Sequence, residues 1–162
     1  ALVRAHAQAA SLTPSVPRAL KATLRPYQRE GFAWLARHAE AQLGACLADD
    51  MGLGKTLQTL AVLLLRAKRG AALVVAPTSV GPNWLAEAKR FAPSLNMIPY
   101  RGVARELYLD ALEPGDVLVT SYEILVRDLD ELAACEFATL VLDEAQAVKN
   151  ASTQRWRAAS RL

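Results

Sequence analysis

Two short stretches carry the residue types that could handle a triphosphate and its metal ion. The first is LADDMGLGKT, Leu47 to Thr56. Gly52 and Gly54 lack a Cβ, so the main chain there can bend tightly and aim successive N–H groups into a concavity that suits phosphate. Lys55 adds a full positive charge and Thr56 a hydroxyl for Mg²⁺, and the helix expected to begin there favours anions at its N-terminus. Asp50, Met51, Gly52, Leu53, Gly54, Lys55 and Thr56 are therefore the expected phosphate cradle. The general pattern GxxxxGK[ST] has a glycine five positions before Gly54, where this chain has Asp49. Taken as a bare match, GLGKT could also be an ordinary surface turn.

The second stretch is TLVLDEAQ, Thr139 to Gln146. Four apolar residues, read as a buried strand, would deliver Asp143 to the C-terminal edge of a sheet, where ligands of such folds bind. Asp143 would hold Mg²⁺ through water, and Glu144 is placed to polarise an attacking water for hydrolysis. Acids also favour helix N-termini, so the pair could merely open a helix. The glycine loop lying upstream, in the correct order, favours the metal reading.

The elements that must position these residues follow from periodicity. Apolar residues from Tyr27 to Leu43 keep helical spacing, and so do Leu57, Leu60, Ala61, Leu64 and Leu65 after the glycine loop. Ala45 to Ala48 reads as a short buried strand leading into that loop. Ala71 to Ala76 is apolar at every position, which suits a strand covered on both faces. A helix carrying Trp84, Ala88 and Phe91 follows, then a strand near Asn96 to Tyr100 and a helix from about Arg105 to Leu112. A strand from Asp116 to Thr120 leads to a helical face of Tyr122, Leu125, Val126 and Leu129, and Ser152 opens a last helix through Trp156. This alternation predicts an α/β fold, a three-layer α/β/α sandwich with a mostly parallel sheet.

Composition sets the bounds. With 162 residues, 52% apolar and 22% charged, the chain can bury one real core. No apolar run approaches the ~20 residues that span a bilayer, and the reading is intracellular. A net charge of +3 permits nucleic-acid binding without establishing it. Cys46 and Cys135 sit in apolar surroundings without a CxxC partner and are expected to be buried bystanders in a reducing compartment. His6 and His38 have no partners at metal spacing. Trp34 and Trp84 are expected in the core, with Trp156 either core or cover for a neighbouring region. Abundant alanine and arginine hint at a bacterial source. Residues 1–23 read as the tail and linker of an upstream region, and 24–162 as the folded unit.

Assembled in order, these pieces resemble the Snf2 family of superfamily 2 helicase-like ATPases over about Leu24 to Asn150. LRPYQREGFAWL is similar to its adenine-recognition segment, with Gln28 expected on the base. ADDMGLGKTLQTLA is close to the family's phosphate loop, which commonly carries an acid where Asp49 stands. VVAPTSVGPNWLAEAKRFAP, DVLVTSYEIL and DEAQAVKN match later segments. Gln146 stands where a histidine is more usual, at a coupling position beside the catalytic Lys55, Asp143 and Glu144.

The resemblance implies the first RecA-like lobe of a P-loop NTPase motor that uses ATP and Mg²⁺ to track along double-stranded DNA. It points to Thr78, Ser79, Thr120 and Ser121 as nucleic-acid contacts. Physically these are hydroxyls and loop amides at the sheet's C-terminal edge, suited to phosphate oxygens rather than bases. Local turn formation and helix capping is their alternative role. Lys89, Arg90 and Arg101 could add attraction or simply form a solvated face. The resemblance also implies a bacterial cytoplasmic, nucleoid-associated setting, with nucleoid or transcription proteins as partners. Two other functions stay open: a strand-separating helicase or restriction-type motor of the same superfamily, and a non-catalytic interaction fragment. The family also inserts a strand between the phosphate-loop strand and the DEAQ strand and carries arginine fingers on a second lobe, worth ~10³ to 10⁵ in rate. Neither is found in residues 1–162, so this segment by itself is expected to bind nucleotide weakly and hydrolyse it barely, and a strand edge beside Thr139 to Asp143 is expected to need a neighbour.

Overall fold

The computed structural model describes residues 12–50 and 52–162. Its elements are α1 (Pro26–Glu40), α2 (Lys55–Arg66), β1 (Ala72–Ala76), α3 (Gly81–Phe91), β2 (Asn96–Pro99), β3 (Asp116–Ser121), α4 (Tyr122–Arg127), α5 (Leu129–Ala133), β4 (Thr139–Leu142) and α6 (Gln154–Ala159). Short 3-10 segments cover Ala67–Arg69, Arg105–Ala111 and Ala145–Val148. The four strands form one sheet, parallel throughout, in the order β2-β3-β1-β4.

Alternation along β1 builds the layers, because successive side chains point to opposite faces. Ala72, Val74 and Ala76 pack with Leu60 and Leu63 of α2 and with Trp84 and Ala88 of α3. Leu73 and Val75 pack instead with Tyr122 and Leu125 of α4, Leu132 of α5 and Ala158 of α6. Helix α1 covers the far side of α2, setting Phe32 and Ala36 against Ala61 and Val62. The expected three-layer α/β sandwich is what forms.

Arg66 closes the lower edge of the sheet at the end of α2. Its guanidinium donates to the Ala138 carbonyl at 2.7 Å, to Thr139 Oγ1 at 2.8 Å and to the Ala39 carbonyl at 3.2 Å. The last turn of α2 thus sits at the start of β4, and the helix runs back along the sheet so that its first turn lies toward the strands' C-terminal ends. Helical crossovers in parallel sheets return the chain in this sense.

Several expectations need correction. Ala45 to Ala48 forms no strand: Ala45, Cys46 and Ala48 are exposed and have no ladder partner. A short apolar run becomes a strand only when a neighbour pairs with it, and among the described residues β4 has one neighbour, β1. For the same reason β4 is half-buried at all its positions rather than buried. Cys46 is exposed and Cys135 only half-buried, its thiol donating to the Glu131 carbonyl at 3.4 Å and pushed up in pKa by burial. Trp84 is in the core, whereas Trp34 is 38% exposed and lies against His38. Trp156, 40% exposed, is not core. The helix expected from Tyr122 breaks at Asp128 into α4 and α5. His6, the alanine-rich segment 1–10 and Met51 of the expected phosphate cradle lie outside the described residues.

That break is held by an ion pair. Arg105 donates to both carboxylate oxygens of Asp128, at 2.5 and 2.7 Å, and to the Gly102 carbonyl at 2.6 Å, fastening the 3-10 segment after β2 onto the α4–α5 joint. The Arg105 hydrogen bonds hold the Asp128 carboxyl below the usual carboxylate range. A depressed folded value means stabilisation that is present above the unfolded pKa of about 4 and lost as pH falls through the folded value. Arg105→Gln is therefore expected to lower the melting temperature at pH 7 and to flatten its decline below about pH 4. Identical pH slopes for the two proteins would show that the pair contributes nothing.

Candidate nucleotide-binding site

The glycine loop is shaped by left-handed backbone at Gly52 (φ 83°) and Gly54 (φ 76°), conformations that cost an L-residue about 1–2 kcal/mol. Gly54 is also the residue before α2, so the first amides of that helix open into the loop without intrahelical partners. Lys55 folds inward: its ammonium donates to the Asp49 carbonyl at 2.7 Å and the Asp50 carbonyl at 3.1 Å. Thr56 is half-buried in the first turn.

Two glutamines brace this loop from opposite sides. Gln28, buried in α1, accepts from the Arg25 amide at 3.0 Å and donates to the Leu53 carbonyl at 3.1 Å. A Cβ on Gly54 would meet that same Gln28 amide at 2.5 Å. Gln58, fully buried in α2, donates to the Asp49 carboxylate at 3.2 Å. Its other amide atom, Oε1, lies against Gly31 of α1, where a side chain would collide with it. Asp49, the departure from the general pattern, thus serves as an anchor for the loop.

Across the sheet edge, Asp143 is gripped by four hydrogen bonds. Its amide donates to the Val75 carbonyl at 2.8 Å, continuing the β1–β4 ladder one residue past the strand. Its Oδ1 accepts from the Glu144 amide at 2.9 Å and its Oδ2 from the Trp84 indole Nε1 at 2.9 Å. Its carbonyl accepts from the Tyr122 hydroxyl at 2.7 Å. Glu144 follows with left-handed backbone, φ 50°, an uncommon state for a residue with a Cβ and one that clusters at functional sites. The Gln146 amide donates to the Glu144 carboxylate.

The first turn of α2 and the end of β4 therefore occupy the same edge of the sheet. Trp84 belongs to the layer that contains α2, so its bond to Oδ2 turns the Asp143 carboxylate toward that layer. A cationic amine, a hydroxyl and free helix amides at the start of α2, with a carboxylate at the end of β4, are the residue types that a metal-bound triphosphate requires.

The four hydroxyl residues expected at nucleic acid divide into two pairs. Thr78 and Ser79 are exposed after β1, with Thr78 donating to Glu123 at 3.3 Å. Glu123 also receives Arg155 of α6 at 2.7 Å. Thr120 and Ser121 are buried: Thr120 donates to the Tyr100 carbonyl at 3.1 Å, and Ser121 caps α4 by accepting from the Ile124 amide at 3.3 Å. Both hydroxyls are internal, that of Ser121 as a helix cap and that of Thr120 as a link from β3 to the backbone just after β2.

Three further site residues escape a reading by periodicity. Trp84 and Tyr122 look like core, and are buried, but a buried indole N–H or phenol O–H needs an acceptor, and that requirement was the available signal. Burial and the nearby Asp143 charge raise the Tyr122 hydroxyl to about 12, so it stays a donor. Burial, then Asp143, also push up the carboxyl of Glu87, one turn after Trp84. Gly54→Ala is expected to cost at least about 1–2 kcal/mol in urea unfolding, because left-handed backbone and the Gln28 contact act together. An unchanged midpoint would show that the loop relaxes freely.

Comparison with known proteins agrees with this geometry. The family model of the SNF2-related domain matches residues 27–162. The putative ATP-dependent helicase/translocase YwqA of Bacillus subtilis is 44% identical over 149 residues, covering 88% of this chain and 16% of that protein. The chromatin-remodeling ATPase INO80 of Candida albicans is 38% identical over 162 residues, covering 90% of this chain and 12% of that protein. The SWI2/SNF2 ATPase core of Sulfolobus solfataricus, solved in complex with dsDNA, superposes with a TM-score of 0.82 at 38% identity, covering 93% of this chain and 32% of that one. The chain thus spans a minor part of each, and by the match over nearly its whole length it belongs to the SNF2-related domain family.

Proposed function

We propose that this chain is the ATP-binding lobe of a motor that couples ATP hydrolysis to movement along double-stranded DNA. What supports the reading is a glycine loop whose helix begins toward the C-terminal ends of the strands, together with the Asp143–Glu144 pair at the C-terminal end of β4, in a member of this family. Similarity to a protein solved with dsDNA supports the choice of DNA.

In this reading Lys55 exchanges the Asp49 and Asp50 carbonyls for phosphate oxygens, and the amides of Asp50, Met51, Gly52, Leu53 and Gly54 surround them. Thr56 and Asp143 hold Mg²⁺, which supplies charge neutralisation on the phosphates when bound. Glu144 orients and polarises the attacking water, and Gln146, bonded to it, senses its state. Gln28 reaches the base edge by giving up its bonds to the loop. Thr78 and Ser79 meet the DNA backbone, while Thr120 and Ser121 shape the neighbouring loop from within. A bacterial cytoplasmic setting, with nucleoid or transcription proteins as partners, fits the likeness to a bacterial translocase. Among the described residues no helix is long and apolar enough to cross a membrane.

Lys55→Ala tests the reading. Loss of one charged hydrogen-bonding group at a phosphate is expected to weaken Mg²⁺–ATP binding by about 10- to 100-fold in calorimetry. In the protein carrying both lobes it should abolish duplex-stimulated ATPase. Unchanged affinity and turnover would leave only a non-catalytic interaction role.

A further inference from the structure

We propose that Trp84 and Tyr122 are positioning residues through which the DNA-facing loop after β1 and the neighbouring turn after β3 set the geometry of Asp143 and Glu144. The inference rests on the functional reading above. It goes beyond that reading by naming the atoms that carry the coupling.

Each loop ends on Asp143 within a few residues. From the exposed Thr78 and Ser79 after β1, the chain enters α3 at Gly81, and Trp84 lies in the first turn of that helix. Its indole, 2% exposed, donates to Oδ2 of Asp143. A bond from a buried N–H to a carboxylate is charge-assisted, hence short and directional. On the other side Ser121 ends β3, and Tyr122 follows it directly, its hydroxyl donating to the Asp143 carbonyl.

The two bonds control different things. The Asp143 amide is fixed by the Val75 carbonyl, so the strand end itself cannot drift. Trp84 fixes how the carboxylate points. Tyr122 fixes the peptide plane between residues 143 and 144, and with it the left-handed turn that aims Glu144. Strained backbone of this kind persists only where its surroundings over-determine it, and the Tyr122 hydroxyl is one of those determinants. Both side chains are close-packed, so a small shift of either loop is transmitted rather than absorbed. DNA on the first loop would act on the metal-binding carboxylate, and DNA near the second on the water-polarising one.

The decisive variant is Tyr122→Phe, which removes one hydroxyl and keeps the ring in the core. In the protein carrying both lobes, duplex-stimulated kcat is expected to fall about 5- to 10-fold, the scale of one lost hydrogen bond, with the KM for Mg²⁺–ATP moving less than about twofold. Trp84→Phe is expected to act in the same direction; because it leaves a void, Tyr122→Phe decides if that variant fails to fold. In this chain, the indole N–H resonance of Trp84 should move on Asp143→Asn. Stimulated turnover unchanged in Tyr122→Phe, or an equal fall in DNA-free and stimulated turnover, which marks a purely structural role, overturns the proposal. An unmoved indole resonance overturns the Trp84 arm. If the unsubstituted protein shows no duplex stimulation at all, the functional reading itself falls and takes this inference with it.

Discussion

The hydrogen bond from the Asp143 amide to the Val75 carbonyl is the constraint on which the site depends. Parallel pairing of β1 with β4 runs in register from Ala72↔Thr139 to Val75↔Leu142, and this bond carries the ladder one residue past the strand. Beyond it no ladder holds the chain, so direction is set by side chains: Trp84 from one layer, Tyr122 from the other. The carboxylate is thus placed by the sheet and aimed by the two helical layers that cover it. A slip of one residue would turn the wrong face of β4 inward and carry the acid away from the loop.

The glycine loop solves a different problem, which is to hold its backbone open around a half-buried cation. Lys55 is satisfied by carbonyls of the loop itself, which turn its ammonium back onto the cradle. The braces come from both neighbouring helices: Gln28 of α1 holds the Leu53 carbonyl, and Gln58 of α2 holds the Asp49 carboxylate. Gly31 lets α1 and α2 approach closely enough for the second brace to fit. The loop's form therefore belongs to the packing of α1 on α2 as much as to its own glycines.

What could be read from sequence divides along physical lines. β1, β3 and the two acids after β4 were legible because a strand covered on both faces leaves an unbroken apolar run, and a charged pair stands out against it. Lys55 and the glycines were legible because their backbone requirements are local. Ala45 to Ala48 was misread because an apolar run of that length says nothing of whether a partner strand lies beside it. Cys46 and Trp34 were misread for a related reason, since helical spacing and apolar neighbours do not reveal which side of α1 or of the loop meets another element. The burial of Thr120 and Ser121 was hidden too: hydroxyls at the end of a strand serve equally to cap the next helix or to meet a ligand. Trp84 and Tyr122 show the limit most clearly, because their packing was evident and their polar atoms, which do the positioning, leave no periodic trace.

The open side of β4 has one more consequence. Among the described residues this strand has a single ladder neighbour and is otherwise moored by Arg66 at its start and by Trp84 and Tyr122 just past its end. Those moorings are local to β4 and do not involve β2. Asp143, the carboxylate proposed to hold the metal, thus follows an edge strand. Whatever comes to lie along that margin would quieten the acid and could govern how often it is ready to work.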